Sequence, residues 1–312
     1  MRILASLIMA LLLAAAPAMA TEKIIIDTDM GDDIDDAFVL ALALKSPELQ
    51  ILGVSAAFGD TATRAKMLDR ILGETGHGDI PVAVGVAADA NREGFTQRRY
   101  AEGGHFARAS HPGSVDFLLE QIRKYPGEIT LVAVGPLPNV GALIDRDAAT
   151  FRKLKRIVIM GGNIAPQVDA YGAAAPIPVH AEWNIKNDIR SAQKLFAAGV
   201  PVTVLPLDST SNLKLHEVAR EALFSRSTPV TDMLALTYHQ WAYATHKATP
   251  TLYDPMTIAA LLEPSLCPMT PMHVVVDDAG ITRATDGTPN AQVCLKSDPE
   301  AFIRFYLNRV GN

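Results

Sequence analysis

The sequence is poor in cysteine, has no basic tract, and has no apolar run of the full length that a membrane span usually takes. Only Cys267 and Cys294 occur among 312 residues. No motif sets a His or an acid beside either, which leaves no cysteine nucleophile to consider. The formal charge is -6 and no run of Lys or Arg appears. Nucleic-acid polymers are therefore excluded as partners, because phosphate backbones are bound by clustered cations. No glycine-rich dinucleotide fingerprint or P-loop follows the first strand. Repeats, low-complexity tracts and internal linkers are also absent, and one domain over residues 21-312 is the economical expectation.

The longest apolar run, Ile3 to Ala16, follows Arg2 and is closed by Ala18-Met19-Ala20. It falls short of the roughly 20 residues a membrane span needs. The small-x-small ending is the form read by signal peptidase. Residues 1-20 are thus expected to be a cleaved signal peptide, with the mature chain starting at Thr21, exported across the inner membrane to the periplasm. The alternative is an uncleaved anchor. After cleavage no stable membrane insertion is expected, and no Cys near the cut offers a lipid attachment point. Export would put Cys267 and Cys294 in an oxidising compartment, where a bond between them would contribute about 3 kcal/mol. Two unpaired buried thiols are the other reading.

What the chain does contain is an alternation of short β-branched runs with helical stretches, about half of its residues being apolar. That pattern predicts an α/β fold: an open, mostly parallel twisted sheet with helices on both faces. Strands are expected at Lys23 to Ile26, Ile51 to Ser55, Pro81 to Val84, Ile129 to Val134, Arg156 to Ile159 and Val200 to Leu205. Helices are expected at Ala37 to Lys45, from a Thr61 cap to Leu72, from a Ser114 cap to Tyr125, and at Leu213 to Phe224 and Val230 to Thr245, with one more opened by Asp254-Pro255. Residues 87-112 lack apolar periodicity and read either as a lid or as a surface insertion. Near the end, His273 to Val276, Ile281 to Ala284 and Ala291 to Leu295 alternate with Gly-containing turns, as a small antiparallel strand region would. Ser297-Asp298-Pro299-Glu300 has capping-box spacing before a final helix.

The first strand runs into six aspartates within ten residues: Asp27, Asp29, Asp32, Asp33, Asp35 and Asp36. Like charges at that density need a cation or shared protons. Oxygen ligands without Cys or paired His favour Ca²⁺ or Mg²⁺ over zinc. An EF-hand is excluded on register, since Gly31, Asp32 and Phe38 fall on the wrong loop positions. In open parallel sheets ligands bind beyond the C-terminal ends of the strands. Asp27 and Asp29, Asp60, Pro138-Asn139 and Met160-Gly161-Gly162 all fall at those ends.

Asp27-Thr28-Asp29-Met30-Gly31 with Asp35-Asp36-Ala37 resembles the signature of the inosine-uridine preferring nucleoside hydrolase family. Gly135-Pro136-Leu137-Pro138-Asn139, Met160-Gly161-Gly162, Glu182-Trp183-Asn184 and Tyr253-Asp254-Pro255 follow in the same order, and the resemblance runs from about Lys23 to the C-terminus. It implies a Ca²⁺-dependent N-ribohydrolase that cleaves the N-glycosidic bond of purine or pyrimidine ribonucleosides, its partner being a small-molecule nucleoside. A homo-oligomer is expected. The resemblance implies metal ligation by Asp29, Asp36, Asp254 and the carbonyl of Pro138, which replaces the usual Thr but keeps the ligating group. It implies a water activated by Asp29 as general base, and sugar contacts from Asp35, Asp60, Met160, Glu182, Asn184 and Asp254. Asp35 and Asn184 would hold the 2'-hydroxyl and Glu182 the 5'-hydroxyl.

Three departures from the family pattern stand out. Two extra residues precede Asp35-Asp36, which leaves open whether Asp33 takes the place of one of them. A 5'-hydroxyl Asn of well-known members falls near Pro176. Tyr253 stands where some members carry a His that protonates the leaving base, and a phenol, with an ordinary pKa near 10, is a poorer acid. His239, Tyr243 and His246 share a helix face at i, i+4 and i+7. That face either stacks on and protonates the base or is the solvent edge of a packed helix. Two other functions compete: a catalytically silent nucleoside- or ribose-binding protein, and an aspartyl-nucleophile phosphatase, which Asp27-Thr28-Asp29 would suit but the later motifs would not.

Overall fold

The computed structural model describes residues 21-88, 94-103, 105-167 and 175-312. The expected signal peptide lies outside them, as does part of the stretch 87-112 that was expected as a lid or a surface insertion.

Strand β1 (Glu22–Thr28) is where the sheet begins, because Ile24, Ile25 and Ile26 are fully buried and successive side chains point to opposite faces. Ile24 and Ile26 pack with one apolar cluster, and Ile25 with the other. Around β1 the chain adds β2 (Leu49–Ala56), β3 (Val82–Ala83), β4 (Ile129–Ala133), β5 (Arg156–Met160) and β6 (Val202–Leu205), all parallel. The tail adds β7 (Met269–Val276), β8 (Thr282–Thr285) and β9 (Ala291–Cys294). The order across the sheet is β3-β2-β1-β4-β5-β6-β9-β7-β8.

The C-terminal strands differ from the expectation in one respect. β7 is antiparallel to both β8 and β9, but β9 runs parallel to β6 and so extends the main sheet. Cys267 and Cys294 form a disulfide with Cα atoms 5.6 Å apart, joining the segment before β7 to the end of β9.

Helices cover both faces. On the Ile24/Ile26 side lie α1 (Asp35–Leu44), α2 (Thr61–Glu74), α10 (Pro229–Thr245), α11 (Pro255–Leu262) and α12 (Pro299–Val310). On the Ile25 side lie α4 (Ser114–Lys124), α5 (Pro138–Phe151) and α7 (Ile189–Ala197). Among the described residues there are also short helices α3 (Arg98–Glu102), α6 (Trp183–Asn187), α8 (Leu207–Thr210) and α9 (Glu217–Phe224), and a 3₁₀ turn at Pro264–Leu266. No helix of the described residues is long and apolar enough to cross a membrane.

Several local expectations are corrected. Asp60, not Thr61, caps α2 by accepting from Thr63 N at 3.1 Å. Ser114 does not cap α4; its hydroxyl donates to Asn139 Oδ1 at 2.8 Å. Asp298 caps α12 while Ser297 donates to Ser209 O, so no Ser297 capping box forms. The helix expected from Leu213 starts at Glu217. Residues 213-215 instead pair with 250-252, through Leu215 N to Pro250 O and Leu252 N to Leu213 O. Thr61 (to Gly85 O at 3.0 Å), Ser114, Ser297 and the 213-215 backbone each found a long-range partner, which sequence spacing does not reveal.

Within the stretch 87-112, residues 94-103 are tied down on three sides. Gln97 N and Nε2 donate to Gly31 O and Asp33 O, and Thr96 Oγ1 to Asp32 O at 2.7 Å. Arg70 donates to Tyr100 O, and Tyr100 N donates to Gln240 Oε1 of α10 at 2.9 Å. Phe95 lies against Gly31, where a Cβ would meet its ring at 1.9 Å. Gly31 has φ +116°, so glycine is required there on both counts.

Candidate active site

The acidic stretch leaves β1 at its C-terminal end and enters α1 at Asp35, and that start decides which carboxylates face one another. One oxygen from each of Asp35, Asp36 and Asp254 lies within 4.8 Å of the others, and all three are buried. Asp254 arrives from the turn before α11, where Pro255 occupies the first helical position, and its N–H points to Asp35 Oδ2 at 3.4 Å. Thr28 Oγ1 donates to Asp36 and accepts from Met30 N at 3.1 Å, which fixes the turn. Asp33 does not join this group. Its carboxylate accepts from Ile34 N at 2.7 Å and bonds to Trp241, facing α10.

Asp29 lines the same cavity, with Gly135 leaving it room: a Cβ there would come within 2.7 Å of Asp29 Oδ1. Its loop is clamped by a residue the sequence did not single out. Arg64 of α2 is only 2 % exposed. It donates to Phe58 O at 2.7 Å, to Met30 O at 2.8 Å and to Asp29 O, and it pairs with Asp32 at 3.1 Å. A lone Arg in an amphipathic helix carries no local mark of such a role. Asn139 is a second buried hub. It donates to Asp27 Oδ1 at 2.7 Å and to Ala56 O at 3.0 Å, and accepts from Val86 N and Ser114 Oγ, so it joins the ends of β1 and β2 to the chain just after β3 and to α4.

The carboxylates resist ionising together. Burial and then the charge of Asp36 push Asp29 well up, with Arg64 opposing. Burial followed by neighbouring aspartates does the same to Asp35 and Asp254. Burial raises Asp36 to about 7 although Thr28 and Arg64 hold it down. Asp27 is also raised, to about 6, by burial against the pull of Ser55 and Asn139, but it does not line the cavity. Three converging carboxylates with a fourth beside them form an all-oxygen donor set that fits a hard divalent cation.

The cavity measures about 570 Å³. One wall comes from the end of β5 and the segment after it. Glu182 caps α6, accepting from Asn184 N at 2.9 Å, Ile185 N at 3.1 Å and Gly162 N at 3.0 Å. Burial raises its pKa while these N–H groups pull it down. Asn184 donates through Nδ2 to Val134 O at 2.9 Å and Met160 O at 3.0 Å, which turns its side-chain oxygen away from both. Met160, His180, Trp183 and Lys186 also line this side.

Of the expected site residues, Asp29, Asp35, Asp36, Met160, Glu182, Asn184 and Asp254 border one cavity. Two do not. Asp60 is occupied as the α2 cap and by Arg98 at 3.2 Å. Pro138 is buried as the first residue of α5 and is not part of the cavity lining. The face formed by His239, Tyr243 and His246 is exposed and does not border the cavity. α10 instead turns Trp241 and Thr245 inward, with Lys247 just beyond its left-handed cap at His246 (φ 57°). The buried stripe Met233, Leu234, Thr237, Tyr238 and Trp241 sets that phase, and its spacing was the signal available.

The model of the family described as inosine-uridine preferring nucleoside hydrolase matches residues 24–304. Uridine nucleosidase 1 of Arabidopsis thaliana is 31% identical over 280 residues, covering 83% of this chain and 80% of that protein. The pyrimidine-specific ribonucleoside hydrolase RihA of Citrobacter koseri is 30% identical over 318 residues, covering 92% and 97%. Among solved structures, the plant nucleoside hydrolase PpNRh1 superposes with a TM-score of 0.79 at 26% identity, covering 93% of this chain and 99% of that one. The purine-preferring ribonucleoside hydrolase from Gardnerella vaginalis shares the fold, with a TM-score of 0.79 at 23% identity and coverage of 93% and 98%.

Proposed function

Because the chain belongs to the inosine-uridine preferring nucleoside hydrolase family, and is thus a hydrolase of N-glycosyl compounds acting on ribonucleosides, we propose that it is an exported, Ca²⁺-dependent enzyme preferring pyrimidine ribonucleosides. The convergence of Asp35, Asp36 and Asp254 beside Asp29 carries this reading. Support for the pyrimidine preference comes from the relatives named for uridine and pyrimidine substrates. The disulfide between two fully buried cysteines supports an oxidising compartment, and the signal-like residues 1-20 support the periplasm. Self-association belongs to the same proposal, supported by the exposed Leu236 and Tyr243 on the outer face of α10.

Asp36 and Asp254 would hold the Ca²⁺ with Asp29, and the closeness of one Asp35 oxygen to those of Asp36 and Asp254 supports Asp35 within reach of the ion. Bound there, the ion would order the ribose hydroxyls and acidify the attacking water. In this reading Asp29 accepts the proton that water loses as its oxygen attacks the anomeric carbon. Bond cleavage builds positive charge on the ribose, and the ring of carboxylates stabilises it. The free side-chain oxygen of Asn184 takes a ribose hydroxyl, Glu182 lies toward the 5' end, and Met160 packs under the sugar.

The test is to incubate mature protein with uridine, inosine and p-nitrophenyl riboside, with and without a chelator, and to follow free base and reducing sugar. Hydrolysis that is lost in Asp29→Ala and on chelation is expected. Tight nucleoside binding without turnover would instead reveal a binding protein.

A further inference from the structure

Breaking an N-glycosidic bond sends its electron pair to the base, and something must stabilise the charge that develops there. The position before Asp254 is Tyr253, a phenol in place of an imidazole, and the exposed helix face with His239 and His246 lies outside the cavity. The cavity has two ends. Glu182, His180, Trp183 and Lys186 come from the segment beyond β5, and His180 is engaged there through Nδ1 with Pro178 O at 3.0 Å. Trp241, Thr245 and Lys247 come from the α10 end. α10 packs against α1, α2 and α3, over the β1-β2 side of the sheet. With the acidic group at the end of β1 lying between them, a ribose held 5'-end toward Glu182 presents its base to the α10 side. This orientation rests on the function proposed above.

We propose that Lys247 is a further catalytic residue, the cation that stabilises the departing base as an anion. Among the described residues the cationic side chains bordering the cavity are Lys186, at the Glu182 end, and Lys247, at the α10 end, with His180 beside Glu182. Lys247 follows the left-handed residue that ends α10, and its N–H reaches Thr245 Oγ1 at 3.3 Å, which sets where the side chain leaves the backbone. Its ammonium makes no ion pair within the described residues. The nearby charges are Asp33, tied to α10 by Trp241, and Lys214, which bonds Thr251 Oγ1 at 2.6 Å. Asp33 and Lys214 are thus the charged groups that face Lys247 at this end.

The step balances without a proton donor on the enzyme. Water gives its hydroxyl to C1' and its proton to Asp29. The C1'–N pair leaves with the base, which departs as an anion against Lys247 and takes a proton from solvent. Asp29 returns its proton to solvent. Substrates whose bases are acidic N–H compounds, uracil among them, suit this end of the cavity.

The test compares Lys247→Met with the wild type on uridine and on p-nitrophenyl riboside, whose leaving anion is already stabilised by delocalisation into its nitro group. A cation at the atom where negative charge develops is worth about 10²-fold. Lys247→Met is expected to lose about 100-fold in kcat on uridine and less than about 5-fold on p-nitrophenyl riboside. Lys186→Met should show no such split. Equal losses on both substrates, no loss on uridine, or the same split in Lys186→Met would overturn the assignment. If the wild type hydrolyses neither substrate, the nucleosidase reading itself fails.

Discussion

Replacing Arg64 by alanine is expected to destabilise the protein by about 4 kcal/mol and to remove activity from what remains folded. Arg64 is 2 % exposed and supplies N–H donors to the carbonyls of Phe58, Met30 and Asp29, as well as a 3.1 Å partner for Asp32. Each buried acceptor that loses its donor costs about 1 kcal/mol. Removing one member of a buried ion pair costs about 3 to 5 kcal/mol, and the lower figure applies here because the Asp32 side chain keeps 17% exposure. These contributions share one side chain and do not simply add, hence about 4. Arg64→Lys keeps the charge but cannot reach three carbonyls from one ammonium, and about 2 kcal/mol is expected. Urea unfolding at fixed m-value measures both, and Tm should fall by about 10 °C in the alanine variant. Activity separates the clamp from mere stability. Folded Arg64→Lys should lose about 100-fold in kcat, because a displacement of about 1 Å at Asp29 is enough for that. A midpoint within about 0.5 kcal/mol of wild type, or a folded lysine variant with full kcat, would refute the reasoning.

Ca²⁺ at about 100 times its Kd should raise stability by about 2.7 kcal/mol, seen as a Tm rise reversed by chelator; a flat response would rule out a metal site at Asp36 and Asp254. Reducing Cys267–Cys294, which closes a separation of 27 residues, should cost about 3.5 kcal/mol, read by unfolding with and without a strong reductant under denaturing pre-treatment. Burial alone would raise Glu22, but Lys155, Thr130 and Arg156 hold it down from 4.5 to about 2. Its contribution, about 1 kcal/mol after solvent screening, is therefore complete above pH 4.5 and lost as the pH falls through about 2. Glu22→Gln should be less stable than wild type at pH 7 and equal to it near pH 2, and a gap that persists in acid would count against the ion pairs.

Much of the fold was legible because its signals are local. The continuous apolar run of β1 marks a strand buried on both faces, and Pro255 at the first turn of α11 marks a helix start. The parallel part of the sheet followed from strand-helix alternation. The direction of β9 did not, since a strand after two turns reads the same whichever neighbour it pairs with, and its burial against β6 decided the matter. The caps at Thr61, Ser114 and Ser297 failed for a related reason. A hydroxyl beside a helix start is a candidate cap only until a distant acceptor competes, as Asn139 and Ser209 do.

The sequence by itself determined that six aspartates crowd the end of a buried strand, and that Met160, Glu182, Asn184 and Asp254 recur in a family order. Composition, period and motif order are properties of the chain alone. Only the tertiary structure decided which of those aspartates meet. With α1 starting at Asp35, two successive carboxylates turn inward to Asp254, while Asp33 bonds to Trp241 and Asp32 goes to Arg64. Asp60 looked as well placed as Asp29, yet one caps a helix and the other borders the cavity. Arg64, Trp241 and Lys247 came from segments with no motif, brought in by helices packing over the β1-β2 side of the sheet. Charge along a chain shows that a compensating partner is needed; only packing shows which distant residue supplies it.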